Sequence, residues 1–157
     1  MIKLAFYKAQ PGDIWGNAIA KWGQLWNWGA PPYCHVEIGF SYSDGWHWYS
    51  SASRNWDGTT GTRWISEKDL FKNPERWDVF EVREIRHVSE MIATCEIEKG
   101  KKYDWLGIFG FATLFGQLNQ KDAWYCSEIC RKVFFGDWKK RIHPIPLWKE
   151  TRKYVVV

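Results

Sequence analysis

Three side chains in this chain could together cleave an acyl bond: a thiol, an imidazole and a carboxylate. The thiol is Cys126 in Tyr125-Cys126-Ser127-Glu128, where a helix is expected to begin. The imidazole is His35 in Cys34-His35-Val36-Glu37-Ile38-Gly39-Phe40. At a helix N-terminus the unpaired backbone N–H groups and the positive end of the dipole favour a thiolate. The same N–H groups can stabilise an oxyanion, so one location supplies nucleophile and electrostatic catalysis together. A histidine that meets this thiol takes its proton. Glu37 emerges on the same strand face as His35, about 6.6 Å along the strand. A carboxylate there would fix the imidazole tautomer and stabilise the imidazolium.

Each residue also has a structural reading. Cys126, Ile129, Cys130 and Val133 share a helical stripe, and free cysteine is a common core residue. Tyr125 and Glu128 are candidate substrate contacts beside the nucleophile, or an aromatic packing residue and a helix-pairing carboxylate. Ser51 is a further candidate contact and, with Asp57, a reserve for the orienting role. Asp104 reads as a helix cap and His47 as an exposed strand residue, while His87 and His143 have no evident partner in sequence. A zinc site built from Cys34, His35, Cys126 and Cys130 is not expected. The last two lack the Cys-x-x-Cys knuckle, and adjacent Cys34 and His35 point to opposite strand faces. Neither a metal nor any other cofactor is called for.

The elements that must position these groups follow from periodicity and punctuation. A first strand is expected at about residues 2–7, then the turn Pro11-Gly12-Asp13. A helix over roughly Ile14 to Trp26 has its apolar stripe at Ile14, Ala18, Ile19, Trp22, Leu25 and Trp26. Gly29-Ala30-Pro31-Pro32 breaks the chain before the histidine strand, in which Val36, Ile38 and Phe40 oppose His35, Glu37 and Gly39. A hairpin turn at Ser43-Asp44-Gly45 leads to a returning strand, Trp46 to Ser51. After a loop over Asn55 to Thr62, strands are expected at Arg63 to Ile65 and Trp77 to Val82, with Ser66 capping a helical turn that ends at Leu70. Helices are expected at Val88 to Glu98, at Asp104 to Leu118, and from Ala123 to Phe135. The last would be capped by Asp122 and stopped by Gly136. Tyr154 to Val157 would form an edge strand. The pattern is a meandering sheet with helices on its flanks, an α+β class.

Length and composition bound the function. The 157 residues suffice for one domain, here 1–157, with a buried core. Apolar residues make up 45% and charged residues 25%, and the 13 tryptophans argue against disorder. They also allow exposed apolar surface, open to a partner protein or a second copy. The net charge of +4 permits an anionic partner without requiring one, and the basic residues of the tail read as a solvated face, so no nucleic acid is expected. The first residues turn polar too soon for a signal peptide, and no run approaches the roughly 20 apolar residues of a membrane span. Cytoplasmic synthesis with free thiols is the resulting expectation.

Four motifs occur in order: Pro11-Gly12-Asp13, Tyr33-Cys34-His35-Val36-Glu37-Ile38, Lys102-Tyr103-Asp104-Trp105-Leu106-Gly107 and Trp124-Tyr125-Cys126-Ser127-Glu128. Across about residues 10 to 135 the chain resembles the circularly permuted papain-like hydrolases related to the NlpC-type cell-wall peptidases, above all their small bacterial and phage members. There the histidine strand precedes the cysteine helix, as here. The resemblance implies a papain-like fold with Cys126 as nucleophile and His35 as general base. It also implies an amide substrate, a peptide or isopeptide, with peptidoglycan stem peptides the natural case. Many relatives carry a polar orienting residue on the strand after the histidine; Trp48-Tyr49-Ser50-Ser51-Ala52 offers no carboxylate there, which leaves Glu37 for the role. Two further readings stand beside this cysteine peptidase or amidase: a lipid-directed thioesterase or acyltransferase of the same fold, and an inactive binding module.

Overall fold

The structure is a computed structural model that describes residues 1–53, 58–105, 122–137 and 142–156. Five antiparallel strands form its centre: β1 (Ile2–Lys8), β2 (Tyr33–Tyr42), β3 (Gly45–Ala52), β4 (Gly61–Ser66) and β5 (Trp77–Val82), in the spatial order β4-β3-β2-β1-β5. Around them lie α1 (Ile14–Leu25), α2 (Glu67–Leu70), α3 (Val88–Glu98), α4 (Cys126–Phe135) and α5 (Pro144–Thr151). Two short strands, β6 (Lys102–Tyr103) and β7 (Ala123–Trp124), pair in parallel. The architecture is α+β, as the sequence pattern implied.

The histidine strand is central because both its neighbours obey the alternation. In β1, Leu4 faces Ile38 and Phe6 faces Val36; in β3, Tyr49 faces Ile38. Val36, Ile38 and Phe40 are fully buried and join Ile129, Cys130, Val133 and Phe134 of α4 in one core. Each such side chain stabilises the fold by about 1.5–3 kcal/mol relative to exposure. On the opposite face, Gly39 leaves room for the Trp48 indole, which a Cβ would meet at 2.8 Å. Trp48 in turn packs edge-on against Phe71 just after α2.

Several elements depart from the pattern. The cysteine helix begins at Cys126, not Ala123, and Asp122 is a turn residue with φ +58°. The reason is that Ala123 and Trp124 pair with β6, so the chain stays extended through Tyr125, whose backbone N–H the Glu128 carboxylate then accepts at 3.2 Å. Gly136 stops the helix at φ +78°, as expected. Helix α5 was not legible, although His143 and Pro144 are sound start residues. Residues Tyr154–Val156 lie along β5, with Val155 bridging Val82 and the Val156 N–H bonding the Glu81 carbonyl at 2.9 Å. The helix expected over Asp104–Leu118 falls outside the described residues from 106 onward, as does Asp57.

Helix α1 splits its apolar stripe, with Ile19 and Trp22 half-buried and the two ends exposed. Its buried residues are Gly16, Ala20 and Gly23, while Ile14, Trp15 and Leu25 are mainly exposed. The small residues permit close approach: a Cβ on Gly23 would stand 2.2 Å from His143 Cε1. Asp13 caps the helix by accepting the Gly16 N–H at 2.8 Å.

Candidate active site

The fold brings His35, Glu37 and Cys126 together. His35 Nε2 meets Glu37 Oε1 at 2.7 Å, so the two same-face strand residues do bridge the gap between them. That leaves the other ring nitrogen, Nδ1, free to serve the Cys126 thiol, which is close enough to raise the His35 pKa. Cys126 is the first helical residue of α4, in the turn whose N–H groups have no intrahelical acceptor. Burial opposes the imidazolium of His35. The charge of Cys126 and the hydrogen bond and charge of Glu37 outweigh it, lifting His35 from 6.5 to about 9.

Sequence reasoning missed Arg63. From β4 its Nη2 donates to Glu37 Oε1 at 2.6 Å and its Nη1 to Oε2 at 3.0 Å. Glu37 is fully buried. Burial pushes its carboxyl up, but the Arg63 charge and His35 more than reverse this, and the group stays ionised below the usual range. Strand register carries the signal that could have found Arg63. The register that pairs Ile38 with Tyr49 sets Glu37 beside Ser50, and Ser50 pairs Arg63.

A cavity of about 300 Å³ opens onto these groups. His35, Glu37, Arg63 and Trp77 form its sheet side, and Asp13, Trp15 and Gly16 approach from the start of α1. The Trp77 ring stands edge-on to His35 with centroids 6.1 Å apart. Cys126 itself is 0% exposed. Its electrostatic neighbours Cys34, His35 and Tyr103 all wall the cavity, so the thiol lies directly behind that wall.

The remaining candidates lie elsewhere. Ser51 is fully buried and donates to the Trp124 carbonyl at 2.7 Å; Ala52 and Ser53 are the residues there that reach the cavity. Glu128 is 3% exposed and its carboxylate serves the helix start. Tyr125 is buried too, its hydroxyl donating to the Cys34 carbonyl at 3.4 Å. These three therefore support the site's framework and do not line the cleft. Burial raises the pKa of the Cys34, Cys95 and Cys130 thiols, which keeps them protonated. His143, without a visible partner in sequence, caps α5: its Nδ1 accepts the Ile145 N–H at 3.2 Å and its Nε2 faces the Ile19 carbonyl at 2.8 Å. Among the described residues no group of three or more His, Cys, Asp or Glu is placed to hold a metal ion.

Comparison of the chain with protein-family models, with curated proteins and with solved structures finds no match.

Proposed function

We propose that this protein is a cysteine hydrolase of amide bonds, with Cys126 as nucleophile, His35 as general base and acid, and Glu37 as the residue that orients His35. One observation carries the reading: the His35 imidazole is anchored at 2.7 Å to a buried carboxylate and stands within electrostatic reach of the thiol at the start of α4. His35 takes the Cys126 proton, and the thiolate attacks the substrate carbonyl. The oxyanion forms against the backbone N–H groups of the first turn of α4. The imidazolium returns the proton to the departing amine as the C–N bond breaks, leaving a thioester on Cys126. His35 then deprotonates water, which attacks the thioester; the carboxylic acid leaves and the thiol is restored.

The order of histidine strand before cysteine helix, the antiparallel sheet and the His-x-Glu contact support a permuted papain-like hydrolase of the NlpC type. Peptide and isopeptide bonds, including those of peptidoglycan stem peptides, are the substrate class that analogy offers. Among the described residues no helix is long and apolar enough to cross a membrane.

The test is iodoacetamide labelling across pH, with the modified residue located by mass spectrometry in wild type and His35→Ala. Labelling of Cys126 that is fast below about pH 7 and lost in His35→Ala supports the pair. Slow labelling that ignores the substitution overturns it and leaves a binding module. A panel of stem-peptide and isopeptide substrates, with Cys126→Ala as control, then reads hydrolysis directly.

A further inference from the structure

Helix α1 turns Ile14, Trp15 and Leu25 outward, although Ile19 and Trp22 are half-buried. Its inner face is made of Gly16, Ala20 and Gly23. Ile14, Ala18, Lys21 and Leu25 recur at helical spacing on the outer face, and Ile14 and Leu25 are 80% and 62% exposed. Trp15 adds to one end of this stripe, while Trp26 and Trp28, at 77% and 94%, extend it past the other. The three indoles alone expose on the order of 400 Å², about the size of the largest apolar patch on a typical monomer. A shallow depression of about 510 Å³ lies between Lys21, Leu25 and Trp28.

We infer that this ridge docks onto an anionic lipid surface, with α1 lying in the plane of the interface. Charge favours that occupant. From residue 14 to residue 32 the one charged side chain is Lys21; the carboxylate that borders this stretch, Asp13, is engaged in capping α1, and the whole chain carries +4. Side-chain type agrees, because indoles settle at the level of the headgroups and a lysine stem reaches up to them. Shape agrees as well: a bilayer interface deforms around a helical ridge, whereas a standard dimer needs matched surfaces of about 800 Å² per partner. Because Trp15 also walls the cavity, docking sets the candidate active site beside the lipid headgroups. The inference does not depend on the catalytic reading.

The experiment measures co-sedimentation, with the tryptophan emission maximum, on vesicles of phosphatidylcholine alone and of phosphatidylcholine mixed with phosphatidylglycerol. It uses wild type, a Trp26→Ser/Trp28→Ser double variant, Lys21→Glu and Cys126→Ala. Wild type is expected to bind the mixed vesicles with a blue shift, and Cys126→Ala to match it. The double variant should bind at least about tenfold more weakly, and Lys21→Glu should lose most of its preference for the anionic vesicles. Circular dichroism establishes that each variant is folded; Lys21, Trp26 and Trp28 are exposed, and Cys126→Ala removes only one buried sulfur. No wild-type binding, or equal binding by the double variant, overturns the inference. Self-association of wild type that the double variant abolishes, without vesicle binding, overturns it in favour of a contact between copies.

Discussion

Arg63 grips Glu37 with both terminal guanidinium nitrogens, at 2.6 and 3.0 Å, and does so on a carboxylate that has no exposure to water. The same oxygen that takes the shorter of these bonds, Oε1, also meets His35 Nε2. One carboxylate oxygen thus links a permanent cation to the imidazole. Glu37 is held in place before any substrate arrives, and its negative charge remains available to His35.

The lifted His35 sets an alkaline limit. In the proposed mechanism this shift favours the proton that His35 takes from Cys126, and the imidazolium that then protonates the leaving amine is favoured up to about pH 9. The proposed hydrolysis should fall off as pH rises through about 9. Because the folded value lies above the unfolded 6.5, the same shift stabilises the fold fully below about pH 6.5, and that contribution is lost as pH rises through about 9. A pH profile of kcat/KM and urea melts at pH 6 and pH 10 read the two effects separately.

Glu37→Gln should move that limit downward, because it removes one of the charges that hold the proton on His35. The comparison to make is the alkaline limb of the variant against wild type. A limb that stays in place while overall activity falls would mean that Glu37 only shapes the local packing.

Arg63→Ala should cost about 3 kcal/mol of stability, because it leaves a fully buried carboxylate without its cation. Arg63→Lys should recover part of this charge but not the two-point grip. Denaturant midpoints for both variants, followed by the pH profile of whichever folds, check the expectation.

His143 makes the fold sensitive to acid. Burial holds it neutral and lowers it from 6.5 to about 4. The stability this represents is complete above about pH 6.5 and is lost as pH falls from there toward 4, a change of order 3 kcal/mol. Urea melts at pH 7 and pH 4.5 should therefore differ more in wild type than in His143→Asn, which keeps a capping side chain without the titration.

Gly23→Ala should destabilise by about 1–3 kcal/mol, since its Cβ would fall 2.2 Å from His143 Cε1 and push α1 off α5. Thermal melts measure the loss. Ala18→Gly, on the outer face of the same helix, should cost only its helix propensity, about 1 kcal/mol.

Much of this was legible because local patterns were left undisturbed. The alternation of Val36, Ile38 and Phe40 against His35 and Glu37 marked β2 and both its faces, and Trp77–Val82 and Val88–Glu98 were bounded as the sequence implied. That His35 and Glu37 share a strand face followed from period-two geometry, and the fold brings them into contact. What stayed hidden depends on distant partners. Arg63 acquires its role only through the registers of β3 and β4, and the start of α4 is delayed because β7 finds β6. The sequence showed the apolar stripe on α1 but not which face packs inward, because nothing local reveals that His143 needs the room that Gly23 leaves.

The order of these groups along the chain has a consequence during synthesis. His35, Glu37 and Arg63 all leave the ribosome well before Cys126, which enters the fold on a helix that docks against strands already made. A chain stopped early holds the imidazole without the thiol, and a fragment of the later half holds the thiol without the imidazole. In the proposed reading the reactive combination therefore exists only in chains that have been translated past α4.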